Sequence, residues 1–349
     1  MGNGTITSSL VSPGLRFASN RVMIGLRKEI SKVTQFTTNF TDEAVQPGTT
    51  LLIPVTDATA AAEFDRASNN YGTVNGRLMY APMTFNKHPK HSFGFGAKDM
   101  TLIGNGNNVW QRGGDDSAEA VSAYIADSVA GLINRTNIPT SGVDLTEFTD
   151  GEGNLIKEGT QKAFSAFNEH VLSGDLTKAK IAGLRAVCDN LGIRAGRSVL
   201  MLNPSKFAEL LSLLDANMYG GTEAIQQGFI PYLYGYKAVI EVNELTSAAG
   251  ENLVGAIVPD TAIAVAGRVL PIMNPKLYEE VGTTTDDNSG LTIQYRRGGN
   301  WETDEAVATV EALFGSRLVF PTKICRLVSE ATTPVAPTGE TGETGPTGE

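Results

Sequence analysis

Histidine is nearly missing from this chain, three residues in 349, and cysteine is limited to Cys188 and Cys325. Two cysteines cannot build a disulfide framework, and their spacing suits no thiolate metal site. Both stand in apolar periodic segments and read as buried free thiols, a usage that fits synthesis in a reducing cytoplasm. No apolar run is long enough to span a bilayer. The most apolar stretch, residues 254–273, is interrupted by Pro259, Asp260 and Arg268. The opening MGNGTITSSLV has neither the basic start nor the apolar run of a signal peptide, and Ile6 breaks the myristoylation pattern. A basic balance is lacking too. The net charge of −10 argues against a dedicated nucleic-acid reader and for a soluble chain.

Motifs that carry chemistry are equally scarce. His88-Pro89-Lys90-His91 lacks the glutamate and the unbroken helix of a zinc protease, and His170 stands alone. Gly104-Asn105-Gly106 has no third glycine on a strand–turn–helix and reads as a loop. No G-x-S-x-G elbow and no P-loop occur. Asp115-Asp116 reads as a helix start, and Asp286-Asp287 as part of a solvated turn, TTTDDNSG. The Asn-x-Thr triplets at Asn3, Asn39 and Asn134 carry meaning only in a secreted protein. The expectation is a structural protein and not an enzyme, with no cofactor, no metal and no membrane.

What is present is a sizeable apolar share, 41%, and 38 glycines, above the usual fraction of about 7%. The length suggests one large domain or two to three smaller ones. Charge is uneven. Residues 1–35 hold Arg16, Arg21, Arg27, Lys28 and Lys32 against Glu29 alone, while the last twenty carry Glu330, Glu340, Glu343 and Glu349 and no base. Met23, Leu26, Ile30 and Val33 fall at helical spacing over 20–34, with Asn20 as the cap. Residues 40–100 read as a glycine-punctuated β excursion with strands at TTLLIPV, RLMYAPMTF and HSFGFGAKDM, a turn at Asn75-Gly76 and no compact core of its own. Asp116 with Glu119 predicts a capped helix over 116–135, ended by Pro139. A second helix is predicted over 175–191, capped by Asp175 and stopped by Gly192. VLMLN then reads as a strand buried on both faces. Asn203 caps the next helix with Pro204 at its first position. Short strands follow to the end, over 228–242, 252–259, 261–270 and beyond.

The most specific stretch is RSVLMLNPSKFAELLSLLD, then MYGG, then GFIPYLYGYKAVIEVNEL. A strand ends in Asn203-Pro204, a helix follows, Tyr219-Gly220 turns, and a strand pair centres on Gly235 with Val239. VEALFGSRLVFPTKICRLV reads as a strand reaching a small turn at Gly315, with Pro321 leading the last strand. In these features and in element order the chain resembles the tailed-phage major capsid proteins of the Hong Kong 97 fold. The layout matches over about 1–330, the texture over about 195–330.

The resemblance implies an α+β fold in six parts. Residues 1–36 would be an N-terminal arm and 37–110 an extended β loop. Residues 111–194 would be a peripheral domain with a spine helix at 116–135. Residues 195–289 would be an axial domain around five- and six-fold axes, 290–330 the peripheral return strands, and 331–349 a disordered collagen-like tail. It further implies a shell of pentamers and hexamers of this chain around double-stranded DNA, touched weakly and without sequence preference. The implied partners are a portal, a decoration protein and a separate scaffolding protein or none. The place is the virion, after assembly in the bacterial cytoplasm. An encapsulin-like compartment of the same fold and a collagen-tailed surface or fibre protein are the alternatives. Candidate assembly residues are Arg16, Arg21, Arg27, Lys28 and Lys32 on the arm, and Lys87, His88, Lys90 and His91 on the excursion, facing an acidic patch of a neighbour. Asn203, Pro204, Gly220 and Gly235 carry the fold motif.

The tail offers almost no apolar surface to bury. Deleting residues 333–349 is therefore expected to leave the melting temperature and assembly unchanged. A truncated chain that failed to fold in a thermal melt would contradict this reading.

Overall fold

Strands with apolar side chains on both faces need cover on both sides, and the architecture follows from that need. The structure, a computed structural model, describes residues 32–40, 50–56, 78–96, 106–144, 146–156, 162–214, 229–243, 245, 252–270, 278, 280–285, 291–300 and 305–330. A helical turn over 32–36 leads into β1 (Thr38–Asn39), β2 (Leu51–Thr56), β3 (Leu78–Met83) and β4 (Lys90–Gly96). The long helix α1 (Gly106–Ala130) follows. Then come β5 (Gly142–Val143), β6 (Phe148–Thr149), β7 (Leu155–Ile156), β8 (Ala163–Phe164) and β9 (Glu169–Val171). Helix α2 (Lys178–Asn190), β10 (Ser198–Leu202) and α3 (Pro204–Leu213) are next. β11 (Phe229–Pro231), β12 (Ala238–Glu241), β13 (Leu253–Pro259) and β14 (Ile263–Arg268) lead to the last strands. These are β15 (Glu280–Thr285), β16 (Thr292–Asn300), β17 (Glu305–Leu318) and β18 (Cys325–Val328).

One sheet runs β11-β12-β10-β13-β18-β9. Its middle strand β10 is buried at every residue, parallel to β12 and antiparallel to β13. Leu200 and Leu202 pack with Ile181, Leu184 and Cys188 of α2 and with Phe207 and Leu210 of α3. Val199 and Met201 point the other way, into a core shared with Val121, Ile125 and Val129 of α1. The continuous apolar run is thus a two-sided strand, as its sequence predicts. The cap is as expected too: Asn203 Oδ1 accepts the Lys206 N–H at 2.9 Å, and Pro204 opens α3. Gly192, at φ +67°, ends α2. Its start differs. Thr177 Oγ1 accepts from Lys180 N–H at 3.2 Å, while Asp175 offers only its carbonyl, to Lys180 Nζ. Cys188 and Cys325 are both buried and reduced, and burial pushes both thiols up.

The second sheet is organised by β17, fourteen residues long. It pairs with β16 along 305–312, with β14 along 313–318 and with β4 along 305–311. Gly315 lies inside this strand and is not the small turn its sequence context suggests. A Cβ there would sit 2.6 Å from the Thr84 carbonyl oxygen, so the glycine admits a crossing backbone. Helix α1 covers the inner face of β17, with Val310 and Phe314 in its core. It begins ten residues before the expected 116 and stops at Ala130, so Asp116 and Glu119 lie in mid-helix and form no cap. Gly113 looks like a helix breaker but is a contact point. The Phe93 ring of β4 lies where its Cβ would be, 2.5 Å away. At the other end, Asn134 Oδ1 accepts from Asn137 N–H and Asn137 Nδ2 donates to the Leu132 carbonyl. These asparagines, not Pro139, set the stop.

The β excursion has no core of its own but shares one with the rest of the chain. β2, β3, β6 and β7 form a four-stranded sheet whose inner side buries Ile53, Val55, Met79, Ala81 and Met83 with Phe148, Ile156, Ala264, Ala266 and Val319. Its return strand β4 belongs to the β17 sheet. The turn at Asn75-Gly76 lies outside the described residues, as do most of the arm, Gly220 and the 331–349 tail. Sheet membership crosses the chain order. α2 packs on the β10 sheet although it precedes residue 195, β14 pairs with β17, and β18 returns to β13. The chain changes sheets after Pro259 and again near Pro321, and neither crossing has a composition change to mark it.

Gly255 in β13 is the tightest test of this packing. A Cβ there would lie 2.5 Å from the Met201 carbonyl oxygen and 3.2 Å from Leu202 and Leu327. A backbone atom in the middle of a sheet cannot move aside. Gly255→Ala is expected to lower unfolding stability by about 1–3 kcal/mol, read by urea denaturation. An unchanged midpoint would contradict the packing described.

Candidate assembly surfaces

The basic residues of the excursion are largely used within the chain. Lys87 Nζ donates to the Ser128 carbonyl near the end of α1 and to Ser316 Oγ, both at 3.1 Å. The Phe314 ring lies 5.7 Å from it. Burial holds this ammonium below the usual lysine range. His88 Nε2 lies 3.1 Å from Glu311 Oε2. Glu311, 5% exposed, also contacts Arg296 Nε. Arg296 donates further to Gln294 Oε1 at 3.2 Å and to the Tyr278 hydroxyl at 3.3 Å. Ser117 Oγ donates to the Gly113 carbonyl at 2.6 Å, which leaves its lone pairs to His91 Nδ1 at 2.8 Å. Only Lys90 of the four stays exposed without such a lock. Lys87, His88 and His91 pin β4 and the segment before it to α1 and β17, while His88 keeps 42% of its side chain exposed.

Arg16, Arg21, Arg27 and Lys28 lie outside the described residues, and Lys32 is half-buried at the start of the helical turn. The end of the arm is anchored by contacts that its sequence does not announce. Val33 and Phe36 are buried, Lys237 Nζ donates to the Gln35 carbonyl at 2.9 Å, and Thr38 Oγ1 donates to the Asp260 carbonyl at 2.7 Å. β1 then adds in parallel to β14. Gly235 has φ +84°, and a Cβ there would meet the Arg185 guanidinium at 3.1 Å.

The surface that composition and spacing did not flag is the outer side of the four-stranded sheet. Leu52, Pro54 and Thr56 of β2 stand opposite Pro82, Tyr80 and Leu78 of β3. Tyr80 pairs with Thr149, and Thr149 with Leu155. This face lacks any charged residue along β2 and β3. Leu52 is 36%, Leu78 49% and Leu155 51% exposed. The signal was there: LLIPV and LMYAPM are apolar at consecutive positions, the mark of a strand covered on both faces. Among the described residues only the inner face is covered. Among the described residues no group of His, Cys, Asp and Glu could hold a metal ion. No described helix is long and apolar enough to cross a membrane.

No family model and no curated protein matches the chain. Solved structures do. The capsid of Ralstonia phage GP4 matches with a TM-score of 0.51 at 9% identity, over 86% of this chain and 88% of that one. The capsid of cyanophage P-SCSP1u matches with a TM-score of 0.48 at 13% identity, over 84% and 86%. A virus-like particle from Pyrococcus furiosus matches with a TM-score of 0.47 at 15% identity, over 90% and 98%. The likeness to the Ralstonia phage capsid is one of fold. This chain has the Hong Kong 97-like capsid fold, mixed helix and sheet, that its sequence resemblance implies.

The buried Arg296–Glu311 pair yields a stability test. Removing one partner leaves a charge in a dry site, whereas removing both does not. Arg296→Met is expected to cost about 3–5 kcal/mol, and Arg296→Met with Glu311→Leu distinctly less, in urea melts. A double variant at least as unstable as the single one would contradict this.

Proposed function

We propose that this chain is the major capsid protein of a tailed bacteriophage, and that its copies close an icosahedral shell around double-stranded DNA. The observation that carries the reading is the apolar outer face at Leu52, Pro54, Leu78, Tyr80, Pro82 and Leu155 on a chain with a capsid fold. Fully burying a leucine contributes about 1.5–3 kcal/mol, so this face favours association. A heterologous contact of this kind, repeated with a closing rotation, gives rings and then a shell. The partner is a second copy, in pentamers and hexamers.

The arm residues Arg16, Arg21, Arg27, Lys28 and Lys32 serve the same assembly by meeting carboxylates on a neighbour, in a chain whose net charge is −10. That acidity also weakens any grip on DNA phosphates, which suits a container. A scaffolding protein, a portal and a decoration protein complete the set of partners. The place of the protein is the virion, with assembly in the host cytoplasm.

Leu78→Glu and Leu155→Glu test the reading. Both side chains are about half exposed in the isolated chain, so each variant should melt like the parent protomer. Neither should build closed particles in sedimentation and electron microscopy, alone or with the scaffolding protein. Normal shells from both variants would overturn the role given to this face.

A further inference from the structure

The β11–β12 hairpin turn is built against backbone preference. Tyr232 has φ +53° and Tyr234 φ +50°, left-handed values that non-glycine residues seldom adopt. Surrounding contacts impose them. Leu233 is fully buried and Tyr236 nearly so, both in the core under α2. Tyr236 N–H donates to the Leu233 carbonyl at 3.0 Å and Tyr232 N–H to the Lys237 carbonyl at 3.1 Å. The turn is therefore rigid, and it holds Tyr232 out of the molecule at 81% exposure. Strain kept in place by its surroundings, at a residue with little packing of its own, points to a role outside the fold. A rigid exposed tyrosine is the side chain most suited to anchor a protein contact.

The surroundings give the sign of the partner. The Arg185 guanidinium lies beside Gly235, and Lys237 is in the turn itself. Gly196 abuts the Gly235 carbonyl, which brings the exposed Arg194 and Arg197 alongside. Arg197 reaches Asp260 at 3.4 Å, with 64% of its side chain exposed. Two grooves that share Arg197 and Asp260 continue this surface toward Lys237 and Arg194. Arg194 and Arg197 thus stand exposed near Asp260, with Lys237 held to the Gln35 carbonyl along the same groove and Arg185 beside Gly235, on a chain whose net charge is −10.

We propose that Tyr232 and its basic collar, Arg185, Arg194, Arg197 and Lys237, form a subunit–subunit docking surface that receives an acidic face of a second copy of this chain. The assignment rests on the capsid reading and adds a second contact to the apolar ribbon face. Charge complementarity favours the copy, because the chain as a whole carries a net charge of −10. Tyr232 is the anchor and the collar orients the approach.

Tyr232→Gly and Arg197→Glu test this in the full-length protein. Glycine takes a left-handed backbone without strain, so Tyr232→Gly should melt at or above the parent temperature. Its yield of closed particles should nevertheless fall at least tenfold in sedimentation velocity, and that of Arg197→Glu likewise. Parent shells with parental yields from both variants would overturn this surface and leave the capsid reading standing. A parent that never assembles would remove both. Duplex DNA binding by the unassembled parent, lost in Arg197→Glu while particle yield stays normal, would make nucleic acid the partner and overturn the proposal.

Discussion

Strand β17 is the constraint from which the rest hangs. Over Glu305–Leu318 it supplies backbone partners to β16, β14 and β4. Its inner side chains Val310 and Phe314 lie under α1. Where Gly315 opens a gap, the chain after β3 crosses it, and Arg317 reaches the carbonyls of Pro82 and Glu147. The base of the β excursion is therefore fixed to the body by backbone contact as well as by a core the two share. A sheet with a rigid root presents its outer face in one orientation, which a closed shell requires of every copy.

The same economy of contacts explains the basic residues. Lys87 at the end of α1, His88 at Glu311 and His91 at Ser117 hold the return path of the excursion in place. They fix its position by contacts within the chain. Neutralising Glu311 inside the sheet also keeps a carboxylate from weakening the β16–β17 pairing in a dry site. Among the described residues two exposed surfaces stand out: an uncharged apolar face on β2, β3 and β7, and a group of basic residues near Tyr232. Two surfaces of different character on one protomer are what heterologous repetition demands.

Local signals carried much of the fold. The Asn203-Pro204 start of α3, the Gly192 stop of α2 and the two-sided strand β10 were legible because cap chemistry and apolar runs act over a few residues. Contacts from distant segments were not. Gly113 and Gly315 look like breaks until the Phe93 ring and the Thr84 carbonyl occupy the space their side chains would fill. The pairing of β4 with β17 joins segments some 215 residues apart and leaves no local trace. The candidate surface was half legible. LLIPV and LMYAPM announced strands needing two covers, but only the structure shows Leu52, Leu78 and Leu155 exposed on the outer face. The basic cluster at 87–91 was visible as charge, while its partners Ser128, Ser316, Glu311 and Ser117 come from elsewhere in the chain.

The central claim is that the outer face of β2, β3 and β7 is covered by a neighbouring copy. An electron-microscopy reconstruction of the assembled particle tests it most directly. The account requires Leu52, Tyr80, Leu78 and Leu155 to lie against another subunit, with their side chains out of contact with solvent. A closed shell in which this face stands open to solvent would contradict it.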